Sequence, residues 1–171
     1  INLIFMEKEI RIYNYGLKDI KTYLFVTVFV VGNILLPQLC HMIPNGGRVL
    51  LPIYFFTLIA SYKYGFKVGL MTAVLSPIIN SLLFGMPTFA ILPAILTKSV
   101  VLALAASFVS GKTHKVSIIN LLMVILTYQC VGTLVEWAMT SSFYIAIQDF
   151  RIGIPGMIMQ LLGAYLVICY S

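Results

Sequence analysis

The sequence predicts an all-α polytopic membrane protein: a bundle of six transmembrane helices with its N- and C-termini cytoplasmic. Three observations carry this. Of 171 residues, 61% are hydrophobic and only 9% are charged, with a mean hydropathy of +1.03, whereas a soluble domain is roughly half apolar and a quarter charged. The apolar residues fall into six runs separated by polar, Gly and Pro punctuation, and a bilayer crossing takes about 20 such residues. Basic residues crowd into alternate loops, as the positive-inside rule requires. A water-soluble globular protein is thereby excluded. The net charge of +6 belongs to cytoplasmic loops and lipid headgroup contacts, and no nucleic acid is expected as a partner. Cys40, Cys130 and Cys169 lie far apart, without CxxC or zinc-ligand spacing, so neither a disulfide framework nor a metal site is indicated.

Residues 1–21 form an N-terminal cytoplasmic or interfacial segment. A short helix is expected over 7–21, where Ile10, Tyr13 and Leu17 are spaced for one face. Met6 is the expected start, and no cleavable signal peptide is expected, because the first apolar run lacks a small-residue cleavage site. Residues 22–171 then make a six-helix transmembrane domain. Its segments run over 22–42, 49–62, 67–84, 90–110, 116–139 and 152–170. Each is helical because lipid cannot satisfy free backbone groups. The second begins near Pro52 and is short, so it starts in the outer headgroup region or is partly broken. With the amino terminus inside, the cytoplasmic loops hold Lys8, Arg11, Lys18, Lys21, Lys63, Lys67, Lys112 and Lys115, against Arg48 and Arg151 outside. Eight against two favours an even number of crossings.

Polar groups cost free energy in lipid, about 2.5–3.5 kcal/mol for Lys or Asp at a helix centre on insertion scales, so their placement is informative. Gly69, Ala73, Ser76 and Asn80 align on one face of the third segment. Gln129, Gly132, Thr133, Glu136 and Thr140 do so on the fifth, and Gly153, Gly156, Gln160 and Gly163 on the sixth. Small residues in such stripes pack helices closely. Asn80, Gln129 and Gln160 either line a cavity or bond a neighbouring helix. Lys98 lies about ten residues into the fourth segment, roughly 10–15 Å below the outer surface at 1.5 Å per residue, and Glu136 lies near the outer end of the fifth. Two readings are open. They form a buried ion pair that fixes the bundle, or Lys98 neutralises an anionic group of a ligand while Glu136 binds a donor or holds Lys98.

The first outer loop, with Pro44, Asn45, Gly46, Gly47 and Arg48, has the composition of a mobile lid or a reshaped backbone over a site. Asp149 and Arg151, in the last outer loop, are expected to form a surface pair. Gly111-Lys112-Thr113 lacks the Gly that a phosphate loop needs at position 106, which is Ala106, and neither HExxH nor GxSxG occurs. No enzyme, catalytic residue or cofactor is expected in this chain.

Three stretches carry a family resemblance: Arg48-Val49-Leu50-Leu51-Pro52-Ile53, Lys63-Tyr64-Gly65-Phe66-Lys67-Val68-Gly69-Leu70, and Ser76-Pro77-Ile78-Ile79-Asn80-Ser81-Leu82-Leu83-Phe84-Gly85-Met86-Pro87. Together with the size and the six-span layout, this resembles the substrate-binding S components of energy-coupling factor (ECF) transporters, which import vitamins and related micronutrients into prokaryotes. The resemblance implies a protein of the prokaryotic cell membrane that captures one vitamin-like small molecule near the outer face. It also implies that the protein reorients on a transmembrane coupling subunit carrying two ATPase subunits, so that ATP is used by the partners. By position it puts a lid over residues 43–48 and makes Asn80, Met86, Lys98, Glu136 and Gln160 site candidates, with Gln129 on the same polar stripe as Glu136. Two other classes stay open: a proton- or ion-coupled carrier in which Glu136 titrates, and a non-transporting membrane scaffold.

Overall fold

Residues 6–170 are described by the computed structural model, with the side chains of Gly47 and Arg48 excepted. Each of the six apolar runs contains a helix. In chain order these are α1 (Ile20–His41), the pair α2 (Gly46–Leu50) and α3 (Phe55–Tyr64), then α4 (Phe66–Phe84), α5 (Leu92–Thr113), α6 (Ile118–Thr140) and finally α9 (Ile154–Tyr170). Two short helices, α7 (Phe143–Ala146) and α8 (Gln148–Ile152), occupy the last outer connection. Four of these helices, α1, α4, α5 and α6, are long and apolar enough to cross a membrane. By contrast α3 has 10 residues and α9 has 17.

The second run is broken for a local reason. Leu51 sits in the left-handed region with φ 46°, and Pro52 follows it with no N–H to donate, so α2 cannot continue into α3. A single 3-10 turn, Pro52–Tyr54, makes the junction. The remaining helices are inside-out. On α1 the large apolar residues Leu24, Val28, Val31, Leu35 and Leu39 face outward and are exposed, while Thr22 and Asn33 are buried. Apolar side chains at 3- and 4-residue spacing on the outer surface suit lipid, where burying polar groups is the larger saving. The core between the helices is apolar where it is thickest, around Leu58, Ile59, Tyr62, Leu102, Leu121 and Ile125.

One polar knot ties α1, α3 and α4. Pro37 inside α1 cannot donate to the carbonyl of Asn33 four residues earlier. Asn80 Nδ2 takes that acceptor at 3.0 Å and also donates to the Ser76 carbonyl at 2.9 Å. Asn33 in turn donates to Thr57 Oγ1 at 3.1 Å and Ser76 Oγ at 3.0 Å, and accepts from the Phe56 backbone N–H at 3.2 Å.

The N-terminal segment differs from the helix expected over 7–21. Lys8–Glu9 (β1) is extended and pairs antiparallel with Lys115–Val116 (β2) in the α5–α6 turn, and no helix precedes Ile20 among the described residues. Residues 10–16 continue as irregular chain across the end of the bundle, held by the Tyr13 N–H on the Lys63 carbonyl at 2.8 Å. Tyr13 stacks on Tyr64 at 5.5 Å and Tyr15 on Phe25 at 5.5 Å. Alternate residues, Tyr13 and Tyr15, thus face the bundle, which is the periodicity of extended chain. At this end Lys8 Nζ also donates to the Cys169 carbonyl at 2.7 Å, so the two ends of the described chain meet.

Candidate functional site

At the opposite end of the bundle three ionisable side chains converge. Lys98 stands on the second turn of α5, about 9 Å from its start at 1.5 Å per residue. Its Nζ donates to Glu136 Oε2 on the last turns of α6 and to Asp149 Oδ2 on α8, each at 2.9 Å. Lys98 is 3% exposed and Asp149 9%, so the group is withdrawn from bulk solvent. Gly132 makes room for it: a Cβ there would collide with the methylene stem of Lys98. The glycine of the α6 stripe therefore seats the lysine as well as packing a helix.

Asp149 was expected to pair with Arg151 at the surface, and the structure corrects this. Residues two apart on a helix point away from each other. On α8, Asp149 turns inward to Lys98, and Arg151 turns outward, its guanidinium 3.7 Å from the centroid of the Tyr144 ring and donating to the Tyr144 carbonyl at 3.1 Å. The expected Lys98–Glu136 contact is present, with Asp149 added as a second partner that the sequence reading missed.

The triad lies on the wall of a hollow of about 300 Å³. Most of the wall is apolar: Leu51, Ile53, Ala94, Ile95 and Met139, with Tyr54, Thr140 and Gln148 as polar additions. A second hollow of about 150 Å³ adjoins it, sharing Ile53, Pro87 and Ile95. Asn80, Met86 and His41 line this one. The expected site residues thus occupy three places. Lys98 and Glu136 face the first hollow and Asn80 and Met86 the second, whereas Gln129 and Gln160 line neither.

Gln160 instead bonds neighbouring helices, and Gln129 bonds Tyr128 beside it on α6. Tyr128 Oη on α6 donates to Gln160 Oε1 on α9 at 2.7 Å and accepts from Gln129 Nε2 at 3.1 Å. Gln160 Nε2 donates to the Leu51 carbonyl at 3.2 Å, so this cluster anchors the break between α2 and α3 from behind. Tyr54, whose ring lies 5.2 Å from that of Tyr128, separates the cluster from the first hollow. Tyr54, Tyr128 and Asn33 were not singled out from the sequence, although an amide at the middle of the first apolar run was a usable signal.

The loop expected to act as a lid is folded over this end. Asn45, at φ 58°, starts α2 at Gly46, and Pro44 stands in the preceding turn. α2 lies on Gly156, where a Cβ would strike the backbone of Leu50. Gly47 and Arg48 belong to α2 by backbone, but their side chains lie outside the described residues.

Among the described residues no group of three or more His, Cys, Asp or Glu is placed to hold a metal ion. The site can offer one ammonium, carboxylate oxygens, an amide and an apolar wall. Comparison with protein-family models, with curated proteins and with solved structures returned no match.

Proposed function

We propose that this chain is the substrate-capturing S component of an ECF-type importer. In this reading it is a non-enzymatic, six-span protein of a prokaryotic cell membrane with both termini cytoplasmic. It binds a vitamin-like small molecule near the outer face and delivers it by reorienting on a coupling subunit driven by two ATPases. The observation that carries the reading is the hollow walled by Lys98, Glu136 and Asp149 at the end remote from the basic turns. Its volume of about 300 Å³ reaches the lower end of the roughly 300–1,000 Å³ usual for small-molecule pockets. The second hollow extends the available space toward Asn80. Lys63 and Lys112 near the ends of α3 and α5, with Lys115 on β2, stand at the end that meets the N-terminal segment, and Lys8 contacts the Cys169 carbonyl, which supports an even number of crossings with the basic end inside. The segment over 44–51, seated at its back on Gly156 and Gln160, is the part that would admit a ligand.

Affinity purification from native membranes tests this. The chain is expected to bring down two ATPases and a coupling subunit, and native mass spectrometry is expected to find a small molecule retained at about one per chain. Recovery of the chain with neither would end the proposal. One observation favours a second reading, a proton- or ion-coupled carrier: the Glu136 side chain is 15% exposed on the wall of the hollow, where it could exchange a cation. Such a carrier would move its substrate in vesicles under a pH gradient without nucleotide. A scaffold would show none of these properties.

A further inference from the structure

We infer that the ligand of the first hollow carries a protonated nitrogen, received by Glu136 and Asp149. The inference rests on reading that hollow as the ligand site. The sequence expectation had Lys98 neutralising an anion, but Lys98 already serves both carboxylates, with its Nζ 2.9 Å from each. Counted over the described wall, one positive and two negative charges leave a formal charge of −1. An incoming carboxylate would meet two of its own kind in a space withdrawn from water, where like charges repel most strongly. A cation would bring the site to neutrality. The lysine bonds engage Oε2 of Glu136 and Oδ2 of Asp149, which leaves Oε1 and Oδ1 as acceptors.

A separate feature points the same way. Asn80 is 1% exposed, and its Nδ2 is fixed by two carbonyl acceptors, so the amide must direct Oδ1 elsewhere. That oxygen is itself buried and has no hydrogen-bond partner among the described residues, and Asn80 lines the adjoining hollow. The first hollow therefore offers carboxylate acceptors to a donor-rich ligand, with an unused amide acceptor buried beside the second, while Leu51, Ile53 and Ile95 supply a wall for its apolar body. The ligand class is a small amphiphilic organic cation, such as an N-protonated heterocycle or an amine.

The test uses one shape in three charge states. The purified full chain is titrated calorimetrically with benzamidine, benzamide and benzoate, and native mass spectrometry weighs whatever molecule it retains. Benzamidine is expected to bind most tightly of the three. Glu136→Gln, which keeps the Lys98–Asp149 pair, is expected to weaken it about 10- to 100-fold, the scale of one charge-assisted hydrogen bond. Asp149→Asn serves if Glu136→Gln does not fold, as judged by thermal unfolding. If no probe binds but the retained molecule is a cation, the inference also stands. Tighter binding of benzoate or benzamide, an affinity for benzamidine unmoved in both variants, or a retained anion would overturn the charge assignment while leaving capture intact. No binding and no retained molecule would remove the site itself, and the inference with it.

Discussion

Lys98 shows how one side chain decides what its surroundings can do. A single buried ammonium in lipid is costly, and two carboxylates with 2.9 Å contacts convert it into an interhelical tie between α5, α6 and α8. Truncating Lys98 therefore does more than remove a ligand contact. It leaves Glu136 and Asp149 as neighbouring, uncompensated charges. Lys98→Met is expected to destabilise the protein by about 3–5 kcal/mol, the usual loss when one partner of a buried pair is removed. Adding Glu136→Gln and Asp149→Asn to Lys98→Met is expected to recover most of that loss, because no charge then remains buried. Thermal unfolding of the single and triple variants in detergent measures both, and a single variant as stable as the parent would disprove the tie. Lys98 and Glu136 were legible in the sequence because an ionisable residue in an apolar run has few places to go. Asp149 was not, since its direction depends on how residues 141–153 fold into α7 and α8. Local spacing to Arg151 says nothing about that path.

At the scale of elements, backbone exceptions build the site's walls. Pro37 frees a carbonyl that Asn80 occupies, and Leu51–Pro52 breaks the second apolar run so that Leu51, Ile53 and Tyr54 face the hollow. Gly156 under Leu50 and Gln160 on the Leu51 carbonyl hold the break from α9. Gly156→Val is therefore expected to lift α2 without unfolding the bundle, at a cost of about 1–3 kcal/mol for overpacking. Hydrogen exchange read on peptides over 44–54 should show faster exchange there, with α4 to α6 unchanged. Equal protection in that peptide would mean that α2 does not depend on this seat. Composition and Pro52 were enough to expect a reshaped second segment, because a proline after an apolar start constrains any helix. The N-terminal segment was misread for the opposite reason: Ile10, Tyr13 and Leu17 suit a helix face, but the pull of Tyr64 and Phe25 on Tyr13 and Tyr15 settles the chain in extended form.

For the molecule as a whole, the distribution of surface is the argument. Leu24, Leu35 and Leu39 on α1, Leu104 and Phe108 on α5, and Leu134 and Trp137 on α6 are all exposed, whereas Asn33, Asn80, Gln129 and Gln160 are buried. That arrangement is stable only where the surroundings are apolar, since water would favour the reverse. The basic turn at Lys112 lies at the end where β1 and β2 pair, and the α4–α5 connection with Phe89 lies at the other, beside the hollows. If six crossings place the basic end inside, the two positions are separated by the bilayer. In a chain with Cys40, Cys130 and Cys169 replaced by Ala, Phe89→Cys is expected to react with an impermeant maleimide on intact cells. Lys112→Cys is expected to react only after permeabilisation. Both native side chains are exposed, so accessibility to reagent is not the variable. Labelling of both positions from outside would break the crossing count, and the reverse pattern would turn the hollow toward the cytoplasm, where capture from the medium is impossible.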